Sequence, residues 1–140
     1  MRRVVIDASV VIKLFFEEEH SDAAERCVQQ GRELLAPDLI WTEAANVIWK
    51  RRRRGDLSKE NAAGILAQLL RMPLHIHASA DLVLDALDLA GQFDRTVYDC
   101  LYLALAVRTR AVLVSADRRL VNALAGTLMT RHIAWIGNTH

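Results

Sequence analysis

Apolar residues arrive in two rhythms along the chain. Short β-rich runs occur at Val4-Val5-Ile6, Leu34-Leu35-Ala36, Leu74-His75-Ile76, Ala111-Val112-Leu113-Val114 and Ile133-Ala134-Trp135-Ile136. Longer stretches of helical pattern lie between them. The strongest runs do not alternate apolar with polar residues, which is how strands covered on both faces read. Strand, helix and strand in succession predict an α/β fold around a parallel sheet.

The helices have legible ends. Ser9 is expected to open a first short helix and Ser21 a second. Pro37-Asp38 introduces a third, which runs to the Arg51–Arg54 block and meets Gly55 as its stop. Ser58 opens a fourth, with Pro73 after its end. Ser79 opens a fifth, closed near Gly91. Thr96-Val97-Tyr98-Asp99 has the form of a capping box, with an acid three residues after the cap. The helix beyond it, through Leu101, Leu103, Ala104, Leu105, Ala106 and Val107, is apolar nearly all round and should be central and buried. No repeat, low-complexity tract or linker interrupts the pattern, so residues 1–140 are expected to form one domain.

Composition narrows the class. Hydrophobic residues make up 52% of the 140 positions, which excludes disorder and leaves room for a core. No apolar run approaches the roughly 20 residues needed to span a bilayer. The apolar stretch after Met1-Arg2-Arg3 is too short for a signal peptide, so the expected location is cytoplasmic, with no membrane partner. A net charge of +1 means that any basic surface is local. Cys27 and Cys100 lack metal-ligand spacing and are expected to pack as small apolar side chains.

Four acids stand out against this scaffold. Asp7 directly follows the first strand, and Asp117 follows the strand Ala111–Val114 after Ser115-Ala116. Glu43 falls in the first turns of the third helix, and Asp99 in the first turn of the central one. Parallel strands end along one edge, where open α/β folds place their sites. Singly, Asp7 and Asp117 suit N-caps, Asp99 suits its capping box, and Glu43 a solvated helix face. Together they point to a site. A charge on an otherwise apolar helix is costly to bury without a partner, and crowded carboxylates oppose one another's ionisation. A divalent cation reverses that penalty, and an all-oxygen donor set without a nearby His or Cys cluster suits Mg²⁺ or Mn²⁺ rather than Zn²⁺.

These residues match a known pattern. The opening Val5-Ile6-Asp7-Ala8-Ser9-Val10-Val11-Ile12-Lys13 is followed by Ala36-Pro37-Asp38-Leu39-Ile40 with Glu43, Asn46 and Val47. Then come Val97-Tyr98-Asp99-Cys100-Leu101-Tyr102-Leu103-Ala104 and Leu113-Val114-Ser115-Ala116-Asp117 with Leu120. In this order the four blocks, covering nearly the whole chain, resemble the PIN-domain family, specifically VapC-type toxins of toxin–antitoxin pairs. Ser115 stands where many relatives carry Thr, and the hydroxyl is retained. The resemblance implies a parallel five-stranded sheet flanked by helices, a PIN-like fold related to that of 5′-nucleases. It implies Mg²⁺-dependent endonucleolytic cleavage of RNA. Asp7 and Asp99 would be the principal metal ligands, Glu43 and Asp117 would complete the acidic site, and Ser9 and Ser115 would hydrogen-bond these groups. It further implies a homodimer, and inhibition by a VapB-type antitoxin whose C-terminal segment lies across the groove.

Other features are less specific. Lys50-Arg51-Arg52-Arg53-Arg54 is the densest basic run and suits either a phosphate-tracking surface or a solvated helix end. Arg118 and Arg119, beside Asp117, are better placed to meet RNA, or equally are surface residues of a helix. Glu17-Glu18-Glu19-His20 is most simply a solvated loop. Phe15, Phe16, Trp41 and Trp49 belong either to the core or to an interface. His75 and His77 share a face of their strand, without further ligands for a metal. Two other functions compete with the nuclease: a non-catalytic RNA-binding module with a PIN-like fold, motivated by the basic run, and a phosphotransfer enzyme with Asp7 as nucleophile. The phosphotransfer reading wants a second Asp two residues on, where this chain has Ser9.

Overall fold

The computed structural model describes residues 2–29 and 31–138. All five apolar runs are strands: β1 (Arg3–Ile6), β2 (Glu33–Pro37), β3 (Leu74–His77), β4 (Val112–Ser115) and β5 (Ile133–Trp135). They form one parallel sheet in the order β3-β2-β1-β4-β5. Val5 pairs with Leu35 on one side and with Leu113 on the other, so β1 is central. The chain lays β2 and β3 to one side of β1, then returns to place β4 and β5 on the other. The carboxyl ends of β1 and β4 therefore flank a topological switch point, the place where open α/β folds put their ligands.

Seven α-helices accompany the sheet among the described residues: α1 (Ala8–Val11), α2 (Ser21–Gln29), α3 (Leu39–Arg53), α4 (Lys59–Leu70), α5 (Val83–Phe93), α6 (Val97–Thr109) and α7 (Arg118–Leu124). The segment predicted to be central is so: every residue of α6 from Cys100 to Ala106 is buried, and the helix packs on β1, β2 and β4 with α5 outside it. Val4, Val5, Ile6, Leu105, Leu113 and Val114 are fully buried. Each such side chain contributes roughly 1.5–3 kcal/mol of hydrophobic stabilisation. A smaller cluster of Ile12, Ile48 and Ala62, backed by Phe16, holds α3 and α4 together. Phe15 and Trp41 pack on the main core, whereas Trp49 is half exposed. Both cysteines are free and buried. No described helix is long and apolar enough to cross a membrane.

Several helix ends follow the sequence signals. Ser58 caps α4 by accepting from the Asn61 amide at 3.0 Å, and Thr96 caps α6 by accepting from Asp99 N at 3.1 Å. Gly55, at φ 87°, closes α3: its N–H reaches Arg52 O and the Asp56 N–H reaches Arg51 O, both at 3.0 Å. That is a Schellman stop, which needs a residue free to turn left-handed. Two starts differ from expectation. Asp7, not Ser9, caps α1, because its carboxylate accepts from Val10 N at 3.2 Å while the Ser9 hydroxyl is used elsewhere. Ser79 does not open α5. The Asp38 carboxylate accepts from both its amide, at 3.2 Å, and its hydroxyl, so Ser79–Asp81 forms a 3-10 turn and α5 begins at Val83. Gly91 lies inside α5, which ends at Phe93 with Asp94 in the left-handed region.

The central position of α6 makes it the stability bottleneck. Leu105→Ala should cost about 2–5 kcal/mol, read as a lower urea midpoint at unchanged slope.

Candidate active site

Asp7 stands at the carboxyl end of β1 and is 8% exposed. Its Oδ1 accepts from the Ser9 hydroxyl at 2.5 Å and from the Val10 amide, and its Oδ2 accepts from the Ser115 hydroxyl at 2.5 Å. Both hydroxyls are used twice. Ser9 Oγ accepts from Ala116 N, and Ser115 Oγ accepts from Asp117 N, each at 3.0 Å. The carboxylate of β1 is thus braced against the loop leaving β4, across the switch point. A carboxylate offers about four lone-pair directions, and three are taken here. Burial pushes the Asp7 carboxyl up to about 6; the Ser115, Ser9 and Val10 hydrogen bonds pull it down, and the Glu43 charge adds a push upward.

The other three acids reach the same place from separate elements. Glu43, on the second turn of α3, accepts from the Tyr102 phenol at 2.5 Å. Burial raises the Glu43 carboxyl, the Tyr102 bond lowers it, and Asp99 raises it again. Tyr102 is itself buried and held protonated, first by burial and then by the Glu43 charge. Asp99, in the first turn of α6, pairs with Arg95 at 3.5 Å. Burial raises the Asp99 carboxyl, Arg95 lowers it, and Asp117 raises it. Asp117 caps α7, with its Oδ1 accepting from Arg119 N at 3.0 Å and Leu120 N at 3.3 Å. Repulsion therefore runs without a break from Asp7 to Glu43, to Asp99, to Asp117. The neighbouring Cys100 thiol is pushed up to about 11 by burial and by Asp99, and so is not a nucleophile near neutral pH.

All four predicted acids and both predicted serines converge. Asp7 and Asp117 are helix caps as well as candidate site residues. Two members of the group carry no role in the sequence reading, Arg95 and Tyr102. Tyr102 sits three residues after Asp99, a spacing that shares a helix face, whereas Arg95 lies just before the Thr96 cap and reaches Asp99 from outside the helix. Among the described residues, Arg95 is the cation that pairs with any of the four acids. No group of three or more Asp, Glu, His or Cys among the described residues is close enough to cage a metal ion. The donors that Asp7, Glu43, Asp99 and Asp117 offer are all carboxylate oxygens, the chemistry of a hard cation that keeps part of its water shell.

The basic candidates separate. Lys50 is exposed on α3, two turns beyond Glu43 and so about 10 Å along the axis. Arg51 is ion-paired to Glu18 and lies over the Phe16 ring at 4.1 Å. Lys13 holds the same Glu18 at 3.2 Å, so Glu18 is part of a partly buried ion network rather than a solvated loop. Arg119 is exposed, and Arg118 packs on Trp135.

Residues 4–125 match the family model described as PIN domain. The chain is 40% identical over 120 residues to Ribonuclease VapC3 of Pyrobaculum aerophilum, covering 84% of this chain and 92% of that protein. The crystal structure of PAE2754, also from Pyrobaculum aerophilum, superposes with a TM-score of 0.70 at 24% identity, covering 96% of this chain and 84% of that one. A toxin–antitoxin complex from Klebsiella pneumoniae contains a chain that superposes with a TM-score of 0.62 at 14% identity, covering 94% of this chain and 95% of that one. At these identities the two superpositions speak for the fold.

A carboxyl raised in the folded state binds its proton more tightly there than in the unfolded chain. Its ionisation penalty is therefore absent well below pH 4, grows from pH 4 to about 6, and is complete above that. In divalent-free buffer, Asp7→Asn should stabilise the protein by about 1–3 kcal/mol at pH 7.5. Thermal melts should show this gain shrinking steadily toward pH 4.

Proposed function

The chain belongs to the PIN-domain family, in its VapC group, and from that membership we propose that it is a divalent-metal-dependent endoribonuclease, the toxin half of a VapBC-type pair. The observation that carries this reading is that Asp7, Glu43, Asp99 and Asp117, from separate elements, meet around the serine-braced Asp7, three of them with carboxyls raised first by burial and then by a neighbouring acid's charge, which a dication would offset. The name of the ribonuclease relative supports the substrate class.

Asp7 and Asp99 would hold the ion, Mg²⁺ or Mn²⁺, with Glu43 and Asp117 reached through water. When bound, the ion supplies charge for the phosphoryl oxygens and a water acidic enough to ionise near neutrality. The remaining work falls to the chain. Ser9 and Ser115 fix the plane of the Asp7 carboxylate. Tyr102 holds Glu43 Oε1, leaving Oε2 to take a proton from the attacking water. The α7 amides occupy Asp117 Oδ1 and so fix the carboxylate at the head of that helix. RNA is a polyanion, so Lys50, Arg118 and Arg119 supply the attraction that the acids lack. A non-catalytic RNA-binding module is the weaker reading, because a binding surface has no use for four acids held close and partly desolvated. VapC membership also carries a homodimer and a VapB-type antitoxin as partners, and the toxin–antitoxin complex with the same fold supports the antitoxin.

Purified protein freed of antitoxin should cleave RNA with Mg²⁺ or Mn²⁺ and stop with EDTA. Asp7→Asn and Asp99→Asn should each lower kcat by about a hundredfold or more. Ser115→Ala should cost about 10–100-fold in activity or metal affinity, because it only orients a ligand. Gel-based cleavage assays beside circular dichroism check this, and full activity in both Asn variants would overturn the reading.

A further inference from the structure

A second assembled group lies beside the acids. The register pairs Ser115 with Trp135, so the indole emerges at the same sheet edge as the serine that braces Asp7. Arg118, the residue after Asp117, lays its guanidinium over the Trp135 ring, 4.3 Å from the centroid. His20 meets that ring edge-on, with centroids 5.3 Å apart and planes at 81°. Gly137 closes another side. A Cβ there would collide with Trp135 Nε1 and come within 3.1 Å of His20 Cε1, so a side chain at this position would displace the indole. The His20 segment is anchored in turn through Glu18, which Lys13 and Arg51 both hold.

This arrangement does something specific to Arg118. Among the described residues it has no carboxylate partner, and it is exposed. An unpaired surface arginine ordinarily spends rotamer freedom when it binds. Here the Trp135 ring holds the guanidinium carbon 4.3 Å above its centroid, and no carboxylate among the described residues takes the N–H donors. A flat, pre-oriented fork matches two phosphate oxygens. Arg119, next along the helix, is not among the cations seated on an aromatic ring.

We propose that Arg118, seated on Trp135, His20 and Gly137, is the phosphate-binding arm of the site and takes the non-bridging oxygens of an RNA phosphate beside the acidic crevice. Trp135 is its positioning residue. The proposal rests on the ribonuclease reading for its substrate and deepens it by saying which side of the crevice the strand enters.

The test is binding of a fluorescein-labelled single-stranded RNA oligomer to Asp99→Asn protein, followed by anisotropy across a salt series. Arg118→Ala should weaken binding about tenfold and make the log–log salt slope shallower by about 0.7, the value for one phosphate contact on a single strand. Trp135→Leu should weaken binding about threefold or more while Arg118 is present and have no effect in the Arg118→Ala background; coupling of this kind separates positioning from folding. Trp135→Phe should restore most of the affinity. Gly137→Ala, which displaces the ring without removing it, should behave as Trp135→Leu does, and it serves as the second variant if Trp135→Leu fails to fold. Arg119→Ala should have the same effect with or without Trp135. An unchanged affinity and slope in Arg118→Ala, absence of RNA binding by the parent, or a Trp135→Leu defect that persists without Arg118 would each overturn the proposal. Cleavage by the wild-type chain is scored separately: binding through Arg118 without cleavage would sink the ribonuclease reading alone, and cleavage with Arg118→Ala indifferent would sink this one alone.

Discussion

Everything in the site is indexed to one buried carboxylate clamped between two serine hydroxyls. An unpartnered charge at Asp7 would be prohibitively costly to bury. The Ser9 and Ser115 hydroxyls lower that cost, and because each also accepts an amide from the loop after β4, they convert a local hydrogen bond into a weld between two parts of the chain. The weld is possible only because β1 and β4 are neighbours in the sheet. Strand order, through this bridge, sets the position of Asp117.

The rest of the constellation is built on helices that the core already fixes. Asp99 and Tyr102 project from α6, whose burial leaves its orientation no freedom. Glu43 projects from α3 and is tied back to α6 through the Tyr102 phenol. Three rigid elements and one braced loop thus hold four like charges together against their repulsion. The Asp7, Glu43 and Asp99 carboxyls are all displaced upward, first by burial and only then by a neighbouring acid's charge. Such stored unfavourable energy is what a charged ligand releases when it binds.

What the sequence revealed and what it hid divide along sequence separation. The inner strands were legible because runs such as Val4-Val5-Ile6 need cover on both faces, and the edge strands β3 and β5, only partly covered, were legible as short β-rich runs between helical stretches. The acids were legible because a parallel sheet sends its strand ends to one edge. Helix starts were less so: Asp7 and Ser9 are both good caps two residues apart, and the choice falls to Asp7 because Ala116, 107 residues away, claims the Ser9 hydroxyl. Asp38, 41 residues away, diverts Ser79 in the same manner. Arg51 reads as a free cation until Glu18 is brought beside it by the fold. The Tyr102–Glu43 bond spans 59 residues and leaves no local trace.

One consequence follows from the unbroken burial of α6. Amide protons in its middle are shielded by β1, β2 and β4 on one side and α5 on the other, so their hydrogen exchange must wait for the whole domain to open. Asp99 rides on that slowest cooperative unit, whereas Asp117 heads the seven-residue α7 near the sheet edge. The site accordingly has two walls of different make, one released only by global unfolding and one a short helix beside the sheet edge. The second keeps its place through the buried Leu120 and Leu124 and the serine brace, so the two walls hold Asp99 and Asp117 by independent anchors in one core.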